Sequence, residues 1–158
     1  MTMDAGRALA CAALALCLSC SSQGGAAMHL LARYDAGGRG VSLGAEPVRI
    51  AIALDGRDCA GGGRVTLYLR GLHADGGSSG GYRVLLMPDG GDGAGTPVGT
   101  INFYGIGPGI ARDVSFELAW TPPPIRNGRC AVHLSLQPAG PPEAGGGAAI
   151  DSVELWGQ

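Results

Sequence analysis

The sequence predicts an all-β protein, an antiparallel β-sandwich of seven to eight short strands with Gly/Pro-rich loops. Apolar residues recur at every second position in segment after segment, and glycine- and proline-rich stretches separate those segments. Beyond the N-terminal region, no window of about eleven residues holds the 3.6-residue apolar period of a helix. Short alternating strands at this spacing suit two packed sheets, each burying one face.

The strands follow in order. "GVSL" (40–43) is a short first candidate. "VRIAIAL" (48–54) places Val48, Ile50, Ile52 and Leu54 on one face. "RVTLYLR" (64–70) turns Val65, Leu67 and Leu69 inward and Thr66 and Tyr68 outward. "YRVLLM" (82–87), "VGTINFY" (98–104), "RDVSFEL" (112–118), "CAVHLSLQ" (130–137) and "AIDSVELW" (149–156) continue the period. Gly61–Gly63, "DGGSSGG" (75–81), "PDGGDGAG" (88–95), Asn127-Gly128 and "PAGPPEAGGG" (138–147) supply the turns between them. A strand follows Gly105-Ile-Gly-Pro-Gly109, so no helix N-terminus is available to make those glycines a phosphate cradle; they predict a turn.

Composition narrows the function. The 30 glycines and 10 prolines are about a quarter of the chain, but 46% of the residues are hydrophobic and the glycines cluster between apolar runs, as in a folded, loop-rich domain. A net charge of -2 without a Lys/Arg run argues against nucleic acid as a partner. Residues 8–20, "ALACAALALCLSC", form an apolar stretch too short to span a bilayer but of the right length for a signal-peptide core, with small residues Gly25 and Ala27 before a cleavage point. Residues 1–27 are therefore expected to be a signal peptide, 28–39 a linker and 40–158 one domain. Export follows, either as a secreted protein or through a lipid on Cys20, which follows the small Ser19. Removal of the leader leaves Cys59 and Cys130, either as a disulfide in an oxidising compartment or as two free buried thiols.

Catalytic groups are sparse, and no enzyme, metal or cofactor is expected. His29, His73 and His133 are scattered, and no G-x-S-x-G elbow occurs. Cys130 and His133, three apart, leave opposite faces of a strand; the cysteine belongs to the core and the histidine to the surface. The two aspartates of "DGGDGAG" are too few for calcium and read as a hairpin loop.

The order of segments carries more than any one of them. "VSLG" (41–44), the strand 48–54, the strand 64–70 ending in "RGLHAD", "YRVLLMPDGG", "PVGTINFYGIG", "RDVSFELAW", "VHLSLQPAGPP" and "AAIDSVELW" follow one another across residues 40–157. This succession resembles the C-terminal β-sandwich domain that follows the di-copper domain of tyrosinases, catechol oxidases and related polyphenol oxidases. Tyr82–Met87, Val98–Gly105, Arg112–Leu118 and Ile150–Leu155 fall on that domain's strand motifs. The family's copper site uses six histidines, three per ion, on a helical bundle; this sequence has three histidines in all and no pattern for such a bundle. The resemblance implies a companion domain that docks on or shields a separately encoded type-3 copper oxidase, with Ile106 or Ile110 as the contacting hydrophobe. A copper-delivery role would draw on Met28, His29, His73 and Met87. The alternative is an envelope-attached module for a glycan or another protein, which a cluster of Tyr68, Tyr104, Trp120 and Trp156 in one depression would favour.

Overall fold

The computed structural model describes residues 27–60, 63–75, 80–88, 90, 92–140 and 147–158. It is an all-β sandwich of two antiparallel sheets. The strands are β1 (His29–Tyr34), β2 (Val41–Leu43), β3 (Val48–Asp55), β4 (Val65–Ala74), β5 (Gly81–Met87), β6 (Thr96–Asn102), β7 (Arg112–Leu118), β8 (Arg129–Pro138), β9 (Ala148–Ile150) and β10 (Ser152–Gly157), with one helical turn, α1 (Gly56–Cys59). One sheet runs β3-β8-β5-β6. In the other, β4 is central: β7 lies on one side, and β10 and β9 lie in succession on the other, flanked by β1 and β2.

The ten strands exceed the seven to eight expected for identifiable reasons. Segment 28–39, expected as a linker, instead contains β1, which pairs with β10 from His29↔Gly157 to Tyr34↔Val153 and covers its outer edge. The segment 149–156 is divided into β9 and β10 at Asp151. Opposite this break, β4 bulges at Gly71, whose φ of 63° suits glycine. The Gly71 N–H turns to Asp113 Oδ1 at 2.9 Å, and the Asp151 N–H donates to the Arg70 carbonyl at 2.9 Å.

The bulge has a consequence for the core. Before it, Val65, Leu67 and Leu69 point inward; after it, Leu72 and Ala74 do. One extra residue shifts the parity, so β4 buries one face over its whole length although its sequence loses the period of two. Facing it from the other sheet are Ile50, Ile52 and Leu54 of β3, and Cys130, Val132, Leu134 and Leu136 of β8. Fully burying each such side chain is worth about 1.5–3 kcal/mol.

The two sheets meet at their edges. Along one side Phe116 of β7 lies against Gly99 of β6, where any Cβ would run into the ring. At the end of the sandwich reached by the C-terminus of β6, two turns follow. The Ile106 N–H bonds to the Phe103 carbonyl at 3.0 Å, and the Ile110 N–H to the Gly107 carbonyl at 3.1 Å. Gly105 and Gly109 have φ of 73° and 77°, the left-handed backbone that the third position of such turns requires.

Candidate functional site

A concavity lies at the opposite end, where β5 and β7 finish and β6 and β8 begin. Beyond Leu118 the chain runs through Ala119, Trp120 and Thr121 into Pro122-Pro-Pro124. Three successive residues without an N–H cannot extend a ladder, so the segment leaves the sheet as a strap. It rejoins at a hairpin in which Arg126 and Arg129 exchange backbone hydrogen bonds of 2.7 and 3.0 Å around Asn127 and Gly128, at φ 52° and 73°. Such a two-residue turn is what an Asn-Gly pair favours.

Between the strap, the end of β5 and the start of β8 lies a cleft of about 550 Å³, lined among others by Met87, Pro97, Trp120, Pro123, Ala131 and His133. Its volume is in the range of small-ligand sites. Trp120 also packs in part against the core, which limits the freedom of its ring. Thr96, Thr121, Glu117 and His133 add polar groups to the apolar walls. Glu117 faces Arg64 at 3.4 Å, both largely exposed.

A second hollow of about 380 Å³ adjoins the cleft, and Pro124, Ala131 and His133 line both. Arg126 and Arg129 contribute to its wall, and Cys130 to its lining. Cys130 is joined to Cys59 of α1, with a sulfur–sulfur distance of 2.10 Å. The bridge ties α1 to the first residues of β8, directly behind Ala131, so the floor shared by the two hollows is covalently anchored.

The other sequence candidates are dispersed. Ile106, expected on a loop surface, is 3% exposed; the paired turns fold it back beside Phe103 into the core, which corrects its assignment as a partner contact. Ile110 of the same loop is 47% exposed and Tyr104 76%. The four aromatics do not share a depression. Tyr68 and Trp156 meet edge to face on the outer surface of the β4–β10 ladder with centroids 6.2 Å apart, Trp120 lies in the cleft, and Tyr104 is at the far end. His29, His73 and His133 occupy three different strands, and Asp92 of the "DGGDGAG" loop pairs with Arg49 at 3.0 Å. Cys20 and almost all of the expected signal peptide, like Asp89 of that loop, lie outside the described residues.

Around Tyr68 and Trp156 a charged network is built on alternate residues of four strands. Glu154, 7% exposed, accepts from Arg70 Nε and Trp156 Nε1, both at 3.0 Å, and faces Arg33 at 3.4 Å. Arg70 also donates to Asp113 at 2.8 Å and lies over the Tyr68 ring at 4.3 Å. Burial alone would push the Glu154 carboxyl up. Hydrogen bonds from Trp156 and Arg70, with the charges of Arg70 and Arg33, more than offset it and hold the group below the usual carboxylate range. The Gly71 N–H, and then Arg70, lower Asp113 in the same way. Its members satisfy one another, as in a brace across the sheet.

The cleft uses residues that the strand pattern did not single out. Of the strap and its hairpin, only Asn127-Gly128 was read from the sequence, as a turn; Pro122-Pro-Pro124 was not singled out, and its convergence with Met87 and His133 depends on the sheet order. No protein-family model matches the sequence, and no curated protein does.

Proposed function

We propose that the chain is a binding module that seats an extended, mainly apolar segment of a partner polypeptide in the cleft beside Trp120. The cleft itself carries this reading. It is open, is walled by prolines, alanine and methionine, and holds one large aromatic fixed by the core behind it. A rigid aromatic anchor in an apolar concavity is the usual centre of binding energy. The rigid strap also lowers the entropy lost when the groove is filled. The expected export of the chain places its partner in the envelope or outside the cell.

A second reading rests on another feature. The exposed Tyr104 and Ile110 project from the turn-locked loop at the far end, and a projecting apolar loop is what the polyphenol oxidase resemblance would use to dock on a type-3 copper oxidase. A photo-reactive p-benzoylphenylalanine placed at Thr121, beside the anchor in the cleft wall, in one variant and at Tyr104 in another separates the two readings in the cells that make the protein. Crosslinking to one defined polypeptide from position 121 supports the cleft. Crosslinking from position 104 alone, to a protein with diphenol oxidase activity, overturns it in favour of the second reading.

A further inference from the structure

We propose that Asn127 is a self-modifying site, converted through a succinimide to aspartate and isoaspartate, and that the Cys59–Cys130 bridge sets the rate by keeping the Asn127-Gly128 turn closed.

The sequence supplies one suitable pair of residues. In this reaction the backbone nitrogen of the following residue attacks the asparagine side-chain carbonyl, and a side chain on that following residue obstructs the approach. The chain has two asparagines, Asn102 and Asn127. Asn102 precedes the buried Phe103, and its Oδ1 accepts from the Tyr104 N–H at 2.9 Å. Asn127 precedes a glycine, which has no Cβ, and both residues are exposed to water.

The folded turn keeps the reacting atoms apart. With φ of 52° and 73° and both bonds exchanged between Arg126 and Arg129, residues 127 and 128 form a type I′ turn. The first central residue of such a turn has a ψ of about +30°. At that angle the Gly128 nitrogen and the Asn127 Cβ lie nearly opposite one another across the Cα–C bond, whereas ring closure needs them eclipsed. The reaction therefore runs through a locally opened turn.

The bridge and α1 oppose that opening. Gly56, the first residue of α1, lies against the turn: a Cβ there would sit 2.6 Å from the Gly128 carbonyl oxygen. α1 is four residues long with no side-chain N-cap bond, too short to hold itself in place. Cys59 fastens it to Cys130, the residue after Arg129. Loss of the bridge releases α1 from the turn, and the other arm, with Pro122-Pro-Pro124, has no N–H groups there with which to resist.

Once the turn opens, the Gly128 nitrogen bonds to Asn127 Cγ and gives up its proton, the Cγ–Nδ2 bond breaks, and ammonia leaves with that proton. Water then opens the ring, at Cγ to give aspartate or at the main-chain carbonyl to give isoaspartate. In isoaspartate the backbone passes through Cβ, and the added atom breaks the two-residue turn whose flanking arginines wall the 380 Å³ hollow.

Peptide mapping with enzymatic isoaspartate labelling, after incubation in neutral buffer below the melting range of each folded protein, tests this. The samples are the oxidised full chain, C59A/C130A, Gly56→Ala with the bridge intact, and the reduced wild type unfolded in urea. Product is expected at Asn127 and not at Asn102 in the folded proteins, fastest in urea, and at least about tenfold faster in C59A/C130A than in the oxidised wild type. Gly56→Ala, which pushes α1 off the turn without cutting the bridge, should also react faster than the wild type, and it decides the matter alone if C59A/C130A does not fold. Equal rates in the oxidised wild type and both variants overturn the role assigned to the bridge. An oxidised wild type that reacts as fast as the urea sample, or an Asn127 that stays intact in both folded variants, overturns the proposal.

Discussion

Removing the Cys59–Cys130 bridge is the perturbation whose size follows most directly from the architecture. The bridge closes a loop of sequence separation 71. In the chain-entropy treatment, a loop of that length restricts the unfolded chain by about 4 kcal/mol at 25 °C. A domain of roughly 130 residues unfolds with an entropy near 0.27 kcal/mol/K, so the loss corresponds to a fall of roughly 15 °C in Tm. The bridge also fastens α1 to β8, and both cysteines are buried, so reduction should require partial opening of the sandwich. Circular-dichroism melts of the oxidised protein, the reduced protein and C59A/C130A, with peptide mapping of the oxidised form, make the comparison. The reduced protein and C59A/C130A should melt close together and well below the oxidised form. A difference under about 3 °C, or a map that finds Cys59 and Cys130 as free thiols, would refute the reasoning.

Other substitutions probe separate parts of the account. Ile106→Ala should cost about 2–5 kcal/mol by urea denaturation, whereas Ile110→Ala should stay within about 0.5 kcal/mol, because only the first is in the core. Gly99→Ala should destabilise by about 1–3 kcal/mol through its clash with Phe116, and Phe116→Ala in the same chain should remove most of the added cost. Tyr82 donates to the Gly44 carbonyl at 3.0 Å, so Tyr82→Phe should lose about 0.5–1.5 kcal/mol. Glu154 and Asp113 have depressed folded-state pKa values, so their contribution is complete above the ordinary carboxylate range and fades as pH falls through the folded values. Stability should therefore drop below about pH 4, and Glu154→Gln should flatten that acid limb in pH-dependent melts.

Much of the sandwich was legible because buried strands with one apolar face write their geometry as a period of two. Segments 48–54, 64–70 and 130–137 are the clearest cases, and all three fall on strands with the expected inward residues. What was hidden breaks that period for a structural reason. "RGLHAD" looks like the end of a strand, yet Gly71 is a bulge through which β4 continues to Ala74 with shifted parity. β1 is an edge strand with mixed exposure, so "HLLARY" carries no clean alternation. Ile106 sits among glycines and so suggests an exposed loop; only the pair of closing turns returns it to the core.

The candidate site was less legible still. Its walls come from residues 86–88, 94–98, 117–124 and 131–133, which no local pattern connects. Each piece alone has an ordinary meaning: Met87 ends a strand, the three prolines stop one, and Asn127-Gly128 turns the chain. The cleft arises from the order β8-β5-β6 in one sheet and from the position of β7 at the edge of the other. Sheet order depends on side-chain fit between distant segments, and a single sequence does not display it.

The most direct measurement is chemical-shift mapping of the ¹⁵N-labelled full chain during titration with a peptide selected on it. The account predicts that the Trp120 indole N–H and the amides of Thr96, Ala131 and His133 shift together along one saturable curve, and that W120A abolishes the response. Shifts confined to Tyr104–Ile110 or to the Tyr68 and Trp156 surface, with the Trp120 indole unmoved, would contradict it.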